Sequence, residues 1–204
     1  VREGNYDYRY TRDFCELNGR TLAIIGFGRT GIRTAEIAKA GFSMKVKAYD
    51  PYIDAAAMAE RGMEKADDLN ALLAEADVVS LHLQLTPETR ELITRKHLFS
   101  MKKGAILVNT ARGALVEPDA LLEALESGHL RGAAMDVFET EPLPLDHPFA
   151  TTDGLVMSPH IAGATEECLE RTATQCAAQV IDVLEGQRPD NMVNPETWER
   201  RRFK

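Results

Sequence analysis

The sequence predicts an α/β fold: a Rossmann-like, doubly wound parallel sheet in a single domain. Two observations carry this prediction. Short apolar runs alternate with segments of helical spacing, and a glycine-rich turn directly follows the first run. Strands that are buried on both faces and separated by helices require a parallel sheet with right-handed crossovers. Such sheets bind ligands outside the carboxyl ends of their strands, so we expect the functional residues at that edge.

Six apolar runs are predicted as strands, and five intervening or following segments as helices. The predicted strands are residues 21–25, 45–49, 77–81, 105–109, 132–137 and 155–157. The predicted helices are residues 30–40, 69–74, 94–101, 118–127 and 165–185. The last helix carries one stripe of apolar or small residues, and Gly186 directly after it is typical of a helix end.

Composition and charge exclude several classes of protein. A formal charge of -8 disfavours nucleic-acid binding, because phosphate backbones attract basic surfaces. No apolar run approaches the roughly 20 residues that cross a bilayer, so we expect no membrane partner. The three cysteines are odd in number and lack paired spacing, which predicts neither a disulfide framework nor a metal site. A reducing, cytoplasmic location fits this pattern best.

A dinucleotide-binding motif follows the first predicted strand. Gly26, Gly28 and Gly31 form GxGxxG, where they permit a tight turn, close approach of a pyrophosphate and close helix packing, respectively. Asp50 ends the second strand 19 residues after Gly31, where its carboxylate can accept hydrogen bonds from ribose hydroxyls. The alternative for Asp50 is a turn former before Pro51. Because a carboxylate there would repel an additional phosphate, the predicted cofactor is NAD rather than NADP.

Three residues that are far apart in sequence each follow the carboxyl end of a predicted strand. The guanidinium of Arg112 can grip the carboxylate and carbonyl of a 2-oxo acid. His160 can exchange a proton near neutral pH, and Glu141 can hold its imidazole in one tautomer. Taken singly, each residue has a structural alternative, such as a surface arginine in a turn. Together they predict an acid/base site.

The other four histidines are less specific. His82 follows the third predicted strand, and its position is compatible with core capping and with cofactor contact alike. His97, His129 and His147 fall in helix or loop segments, where surface or packing roles are expected.

These motifs resemble the coenzyme domain of the D-2-hydroxyacid dehydrogenases, the family that includes phosphoglycerate, glyoxylate/hydroxypyruvate and D-lactate dehydrogenases. The resemblance covers the glycine motif with Asp50 and four further segments in the same order, which are residues 81–92, 109–117, 133–142 and 159–165. It implies that Arg112 binds substrate, Glu141 orients His160, and His160 exchanges the proton while nicotinamide exchanges a hydride. One departure is Gln84, which stands where many relatives have proline or another apolar residue.

The resemblance also implies further cofactor contacts, from residues along the same sheet edge. Beyond the glycines, Asp50, His82, Arg112 and His160, these are Arg29, Thr30, Pro51, Leu83, Thr86, Thr110, Ala111, Asp136, Ala162 and Gly163. The family further implies a small 2-hydroxy or 2-oxo acid as substrate and a homodimer formed through the coenzyme domain. The alternative function is an NADH-sensing binding module of the corepressor type, which shares the fold.

The resemblance divides the chain into three segments. Residues 1–18 correspond to an interdomain connection, residues 19–186 to the NAD-binding Rossmann domain, and residues 187–204 to a segment that returns toward a substrate domain. Relatives build most of that substrate domain from residues ahead of this region. We therefore expect the side chains that recognise the substrate to lie mostly outside this sequence.

Overall fold

The central feature of the fold is a sheet whose strands are all parallel. The structure is a computed structural model and describes Gly4, Asp7 and residues 14–200. Among these residues the sheet has seven strands in the order β3-β2-β1-β4-β5-β6-β7. The strands are β1 (Thr21–Ile25), β2 (Lys45–Tyr49), β3 (Glu64–Lys65), β4 (Val78–Leu81), β5 (Ile106–Asn109), β6 (Gly132–Met135) and β7 (Leu155–Met157). This architecture confirms the predicted fold class.

Within the described part of the chain, five α-helices connect successive strands from β1 to β6, and a sixth follows β7. They are α1 (Arg29–Phe42), α2 (Ala55–Glu60), α3 (Leu69–Glu75), α4 (Arg95–Ser100), α5 (Pro118–Glu126) and α6 (Glu166–Leu184). Short 3-10 helices occur at Gly113–Leu115, Pro148–Thr151 and Pro195–Arg200. Helix α6 begins after Thr165, whose side chain accepts a hydrogen bond from the Cys168 amide, and Gly186 has the positive φ of 79° that suits a helix end.

Helix α2, strand β3 and the 3-10 helices of the described residues were not predicted from the sequence. Three predicted strands were too long, those over residues 77–81 and 105–109 by one residue and that over residues 132–137 by two. Helix α2 starts after Asp54, which accepts a hydrogen bond from the Ala57 amide at 2.7 Å, but it buries only Met58 and so shows no apolar stripe. Strand β3 consists of Glu64 and Lys65 at the sheet edge, too short for a periodic pattern. The strand predicted over residues 132–137 ends at Met135, where pairing with β5 ends.

Alternate side chains of the strands enter two separate cores. On one face, Leu22 and Ile24 of β1 pack with residues of α1 and α2. On the other face, Ala23 and Ile25 pack with residues of α3, α4 and α5. Because successive strand residues point to opposite faces, a short apolar strand supplies both layers at once. This double burial explains the continuously apolar runs in the sequence.

The order in which successive strands are added to the sheet reverses at β1. This strand pairs with β2 on one side and with β4 on the other, so the crossovers on its two sides run away from each other. Such a reversal opens a crevice between the carboxyl ends of the flanking strands. The glycine-rich turn follows β1 directly and therefore lies at the mouth of this crevice.

The chain divides into two compact units, one ending at Pro159 and the other beginning at His160. The first contains the seven strands of the described residues and α1 to α5, and the second contains α6. The segment boundaries expected after residues 18 and 186 remain predictions. Residues 1–3, 5–6, 8–13 and 201–204, which belong to the two expected terminal segments, lie outside the described residues.

We predict that Leu73→Ala lowers the free energy of unfolding by about 2–5 kcal/mol, because it leaves a cavity in the core. Leu73 lies on α3 and is 0% exposed. Leu145→Ala is the control, since Leu145 is 98% exposed, and its effect should stay within about 0.5 kcal/mol. Urea unfolding measures both values. Equal effects of the two changes would contradict the described packing.

Candidate cofactor and active site

A cleft of about 580 Å³ lies at the crevice between the carboxyl ends of the strands. Most of the predicted cofactor contacts in the first unit line it, namely Gly26, Gly28, Arg29, Thr30, Asp50, Pro51, His82, Leu83 and Thr86. These residues come from the turn after β1, the start of α1, the residues directly after β2 and the loop after β4. The parallel register of the three strands brings them to one edge.

The glycine turn leaves no space for side chains at two of its positions. Gly26 has a φ of 94°, and a Cβ there would lie 2.8 Å from the carbonyl carbon of His82. A Cβ at Gly31 would overlap the carbonyl oxygen of Gly26. At Gly28, by contrast, a Cβ would meet nothing within 4 Å. The structure thus requires glycine at the first and third positions for the protein's own packing, whereas the middle position faces open space.

Asp50 is tied to this turn by its carboxylate. One oxygen accepts a hydrogen bond from the Phe27 amide at 2.9 Å, and the other accepts one from the Tyr52 amide at 3.0 Å. Phe27 lies between the first two glycines of the motif, so the carboxylate faces the turn rather than away from it. Each carboxylate oxygen has a second lone pair and can therefore accept a further hydrogen bond from a ligand.

Burial lowers the pKa of His82 to about 4. Its Nε2 is 2.9 Å from the hydroxyl of Ser80, and its backbone amide donates to the Ile25 carbonyl at 2.7 Å. The imidazole is therefore neutral at physiological pH. His82 lines the cleft while being partly buried, so both of the roles left open by the sequence are compatible with its position.

Several residues of the cleft were not predicted as cofactor contacts. They are Tyr49, Tyr52, Gln84, Glu88, Thr89 and Leu92. The loop after β4 closes on itself, because the hydroxyl of Thr89 donates to the Gln84 carbonyl at 2.7 Å and accepts from the Thr86 amide at 2.8 Å. A hydrogen bond from the Thr86 side chain lowers the pKa of Glu88, which keeps its carboxylate ionised. The spacing of two threonines around Pro87 was the available sequence signal.

Arg112 lies on the short loop between β5 and the 3-10 helix Gly113–Leu115. Its side chain is exposed, and its Nη1 donates a hydrogen bond to the carbonyl of Ala111. A Cβ at Gly113 would overlap the backbone of Phe138 and Glu139. This close approach holds the loop after β5 against the loop after β6.

The loop after β6 carries Glu141. Its carboxylate accepts a hydrogen bond from the Phe138 amide at 2.9 Å, which folds the side chain back over the start of the loop. Asp136 is 4% exposed and accepts a hydrogen bond from the hydroxyl of Ser158. Because Gly113 joins the two loops, the structure brings the segments that carry Arg112 and Glu141 together within the first unit.

The second unit begins with the third predicted catalytic residue. His160 has a positive φ of 55° and an exposed side chain. Ala162 and Gly163 follow it in a turn that precedes α6, closed by a hydrogen bond from the Ala164 amide to the Ile161 carbonyl at 3.0 Å. The convergence of His160 with Arg112 and Glu141, and the cofactor contacts of Thr110, Ala111, Asp136, Ala162 and Gly163, remain predictions.

The described part of the chain contains neither a candidate membrane span nor a candidate metal site. Within residues 14–200 and the two described residues ahead of them, no helix is long and apolar enough to span a membrane. The same part of the chain contains no cluster of three or more histidine, cysteine or acidic side chains arranged to hold a metal ion.

Comparison with known proteins identifies a family model and many relatives. The model for the D-isomer specific 2-hydroxyacid dehydrogenase NAD binding domain matches residues 1–162. A D-3-phosphoglycerate dehydrogenase of Methanocaldococcus jannaschii is 43% identical over 194 residues, which are 95% of this chain and 36% of that protein. A glyoxylate reductase of Thermofilum pendens is 42% identical over 201 residues, which are 96% of this chain and 58% of that protein.

The chain is also similar in structure and sequence to a solved protein structure. A protein of Thermus thermophilus superposes with a TM-score of 0.81 at 42% identity, over 95% of this chain and 62% of that one. The chain therefore spans between about a third and three fifths of the length of the proteins it matches.

We predict that the imidazole of His82 titrates with a pKa of about 4, well below the ordinary value of 6.5, because burial disfavours its charged form. The pKa of this group is about 4 in the folded protein and has its ordinary value of 6.5 in the unfolded chain, so the unfolded chain binds more protons between these two pH values. This group therefore contributes stability that is lost as pH falls through that window. NMR titration of the imidazole signals measures the midpoint, with His82→Asn for assignment. A midpoint near 6.5 would show that the side chain is exposed to solvent.

Proposed function

Because the chain belongs to the D-isomer specific 2-hydroxyacid dehydrogenase family, we propose that it provides the NAD-binding catalytic part of an enzyme that interconverts a D-2-hydroxy acid and its 2-oxo acid. One observation carries the proposal: a cleft at the reversal point of the sheet combines the glycine turn with a carboxylate hydrogen-bonded to it. This combination suits a dinucleotide better than other ligands, because it offers a helix N-terminus to phosphate and a carboxylate to ribose.

The residues of the cleft fit NAD. The open space at Gly28 would accommodate a pyrophosphate against the main chain at the start of α1, with the cation of Arg29 beside it. Asp50 would accept hydrogen bonds from the adenosine ribose. Its neighbours Pro51 and Tyr52 supply no cation that could neutralise a 2′-phosphate, which favours NAD over NADP. The same proposal includes the remaining predicted cofactor contacts, which are Thr110, Ala111, Arg112, Asp136, His160, Ala162 and Gly163.

The proposed chemistry divides between a hydride and a proton. Bound NAD would supply the hydride acceptor or donor, at C4 of its nicotinamide. Arg112 would bind the carboxylate and carbonyl oxygen of the substrate through its planar guanidinium, which also stabilises negative charge that develops on the carbonyl oxygen during reduction. His160 would give a proton to that oxygen in reduction and take it in oxidation. Glu141 would orient the imidazole and favour its protonated form.

The substrate is proposed only as a class. The two relatives described above are named for phosphoglycerate and glyoxylate, which share a 2-hydroxy or 2-oxo carboxylate and differ beyond it. Arg112 would recognise the shared part. The corepressor-type binding module has no support from these relatives, which carry enzyme names.

We also propose a homodimer and a cytoplasmic location. Helix α6 leaves apolar side chains exposed, among them Leu169 at 59%, Val180 at 59% and Leu184 at 81%. Contiguous exposed apolar residues are typical of an interaction surface, and pairing of two coenzyme domains would bury them.

The cysteines of the described residues are free thiols, which is compatible with a reducing compartment.

We predict that Gly28→Ala weakens NADH binding, by on the order of tenfold or more, while the fold remains stable, because the added methyl group enters only the space proposed for the pyrophosphate. Gly28 has a negative φ that alanine adopts freely. Gly41→Ala is the matched control, since a Cβ at this helix position also meets nothing within 4 Å. Fluorescence titration with NADH and thermal unfolding measure the two effects. Unchanged NADH affinity of Gly28→Ala would contradict the proposed cofactor position.

We predict that His160→Ala in the full-length protein abolishes reduction of 2-oxo acids while the protein still binds NADH, because it removes the proposed proton donor and only one of many proposed cofactor contacts. General acid catalysis contributes about 10²–10⁴-fold, so a loss of at least this size is expected. NADH oxidation across a panel that includes glyoxylate, hydroxypyruvate and pyruvate measures turnover.

The control for this variant is His97→Gln, which changes a histidine of α4 that is not among the residues lining the cleft. Turnover near the wild-type rate in His160→Ala would refute the assignment of the acid. A wild-type protein that binds NADH but reduces no member of the panel would instead refute the proposed reaction.

A further inference from the structure

Asn109 is a fully buried polar residue at the carboxyl end of β5, three positions before Arg112. Its Oδ1 accepts a hydrogen bond from the Ala111 amide at 3.0 Å, and its Nδ2 donates one to the Arg112 carbonyl at 2.9 Å. One partner is a donor and the other an acceptor. The carboxamide therefore satisfies both in this orientation only.

The main chain of Asn109 is itself held in the sheet. It pairs with Met135 of β6, and its carbonyl accepts a hydrogen bond from the Asp136 amide at 3.0 Å. The carboxamide thus extends from a rigid strand to a loop. Asparagine can bond the main chain two and three residues ahead in this way, whereas an apolar residue of similar size would leave both groups of the loop without these partners.

The loop is fixed on both sides of Arg112. On one side, the Asn109 carboxamide binds the amide of Ala111 and the carbonyl of Arg112 itself. On the other side, the Arg112 carbonyl also accepts from the Leu115 amide at 3.3 Å, and Gly113 lies against the backbone of Phe138. The position and direction of the Cα–Cβ bond of Arg112 are therefore set by main-chain contacts.

We propose that Asn109 is a positioning residue for substrate binding, which acts by fixing the main chain from which the guanidinium of Arg112 extends. This inference rests on the proposed role of Arg112. A planar guanidinium binds a carboxylate in a fork whose two hydrogen bonds must form together, so an error of about 0.5 Å in its origin weakens both. Both hydrogen bonds of the Asn109 carboxamide with described residues end on the loop, and neither joins one strand to another.

The test uses Asn109→Ala in the full-length protein, with the 2-oxo acid that the wild type reduces best. We expect kcat/KM to fall by on the order of tenfold, mainly through KM, while the Kd for NADH rises by less than KM does. In an Arg112→Ala background, the same change should alter kcat/KM by less than about twofold, because the group that it positions is absent. Full additivity of the two changes would overturn the proposal.

Two controls separate positioning from loss of stability. Leu107→Val removes a buried methylene group from the same strand and lowers the free energy of unfolding without touching the loop. It should leave KM unchanged. Asn109→Asp keeps the shape and the acceptor for Ala111 but cannot donate to the Arg112 carbonyl while ionised. It replaces the alanine variant if that variant fails to fold, and it too should raise KM.

Amide hydrogen exchange tests the loop independently of turnover. The Ala111 amide should exchange faster in Asn109→Ala than in the wild type, whereas the amides of β5 and β6 should keep their rates. An unchanged Ala111 rate, or an unchanged KM in an active enzyme, would overturn the inference. If the wild type reduces no 2-oxo acid while Ala111 exchange still responds, the proposed function fails and the loop-fixing role of Asn109 stands.

Discussion

The hydrogen bond from the Phe27 amide to the Asp50 carboxylate joins the ends of two neighbouring strands, and the geometry of the cleft depends on it. Helix α1 starts close to the end of β1, because Gly31 in its first turn lies against the carbonyl of Gly26. The carboxylate fixes the glycine turn after β1 from the side of β2 at a distance of 2.9 Å. A single side chain thus stabilises the turn in the protein and still has acceptor capacity for a ligand.

The two cores explain why this arrangement is rigid. The strands next to the cleft are covered on one face by α1 and α2 and on the other by α3, α4 and α5. Close packing on both faces restrains the carboxyl ends of these strands relative to one another. The short loops that follow the strands are restrained at their first residues in the same way. His82 lies in this packed region beside the turn. Burial there would cost a charged imidazole its hydration, so the ring is neutral.

The sequence was most informative where one residue type satisfies one requirement. The glycine motif, Asp50 and the longer buried strands followed from spacing and periodicity, and the structure contains them at the predicted positions. It was least informative where tertiary contacts decide. Strand β3 is defined by its pairing with β2 and not by its own pattern, and α2 buries a single side chain. In the sequence Asn109 is only the last residue of a predicted strand. Its contacts with the following loop could not be predicted, because its hydrogen bonds depend on how that loop folds.

The close approach at Gly113 limits how the two loops that meet there can vary. The loop after β5 and the loop after β6 touch through main-chain atoms, with no side chain between them. Neither loop can be lengthened or redirected alone without separating this contact. A change in the length or direction of one loop therefore requires a matching change in the other.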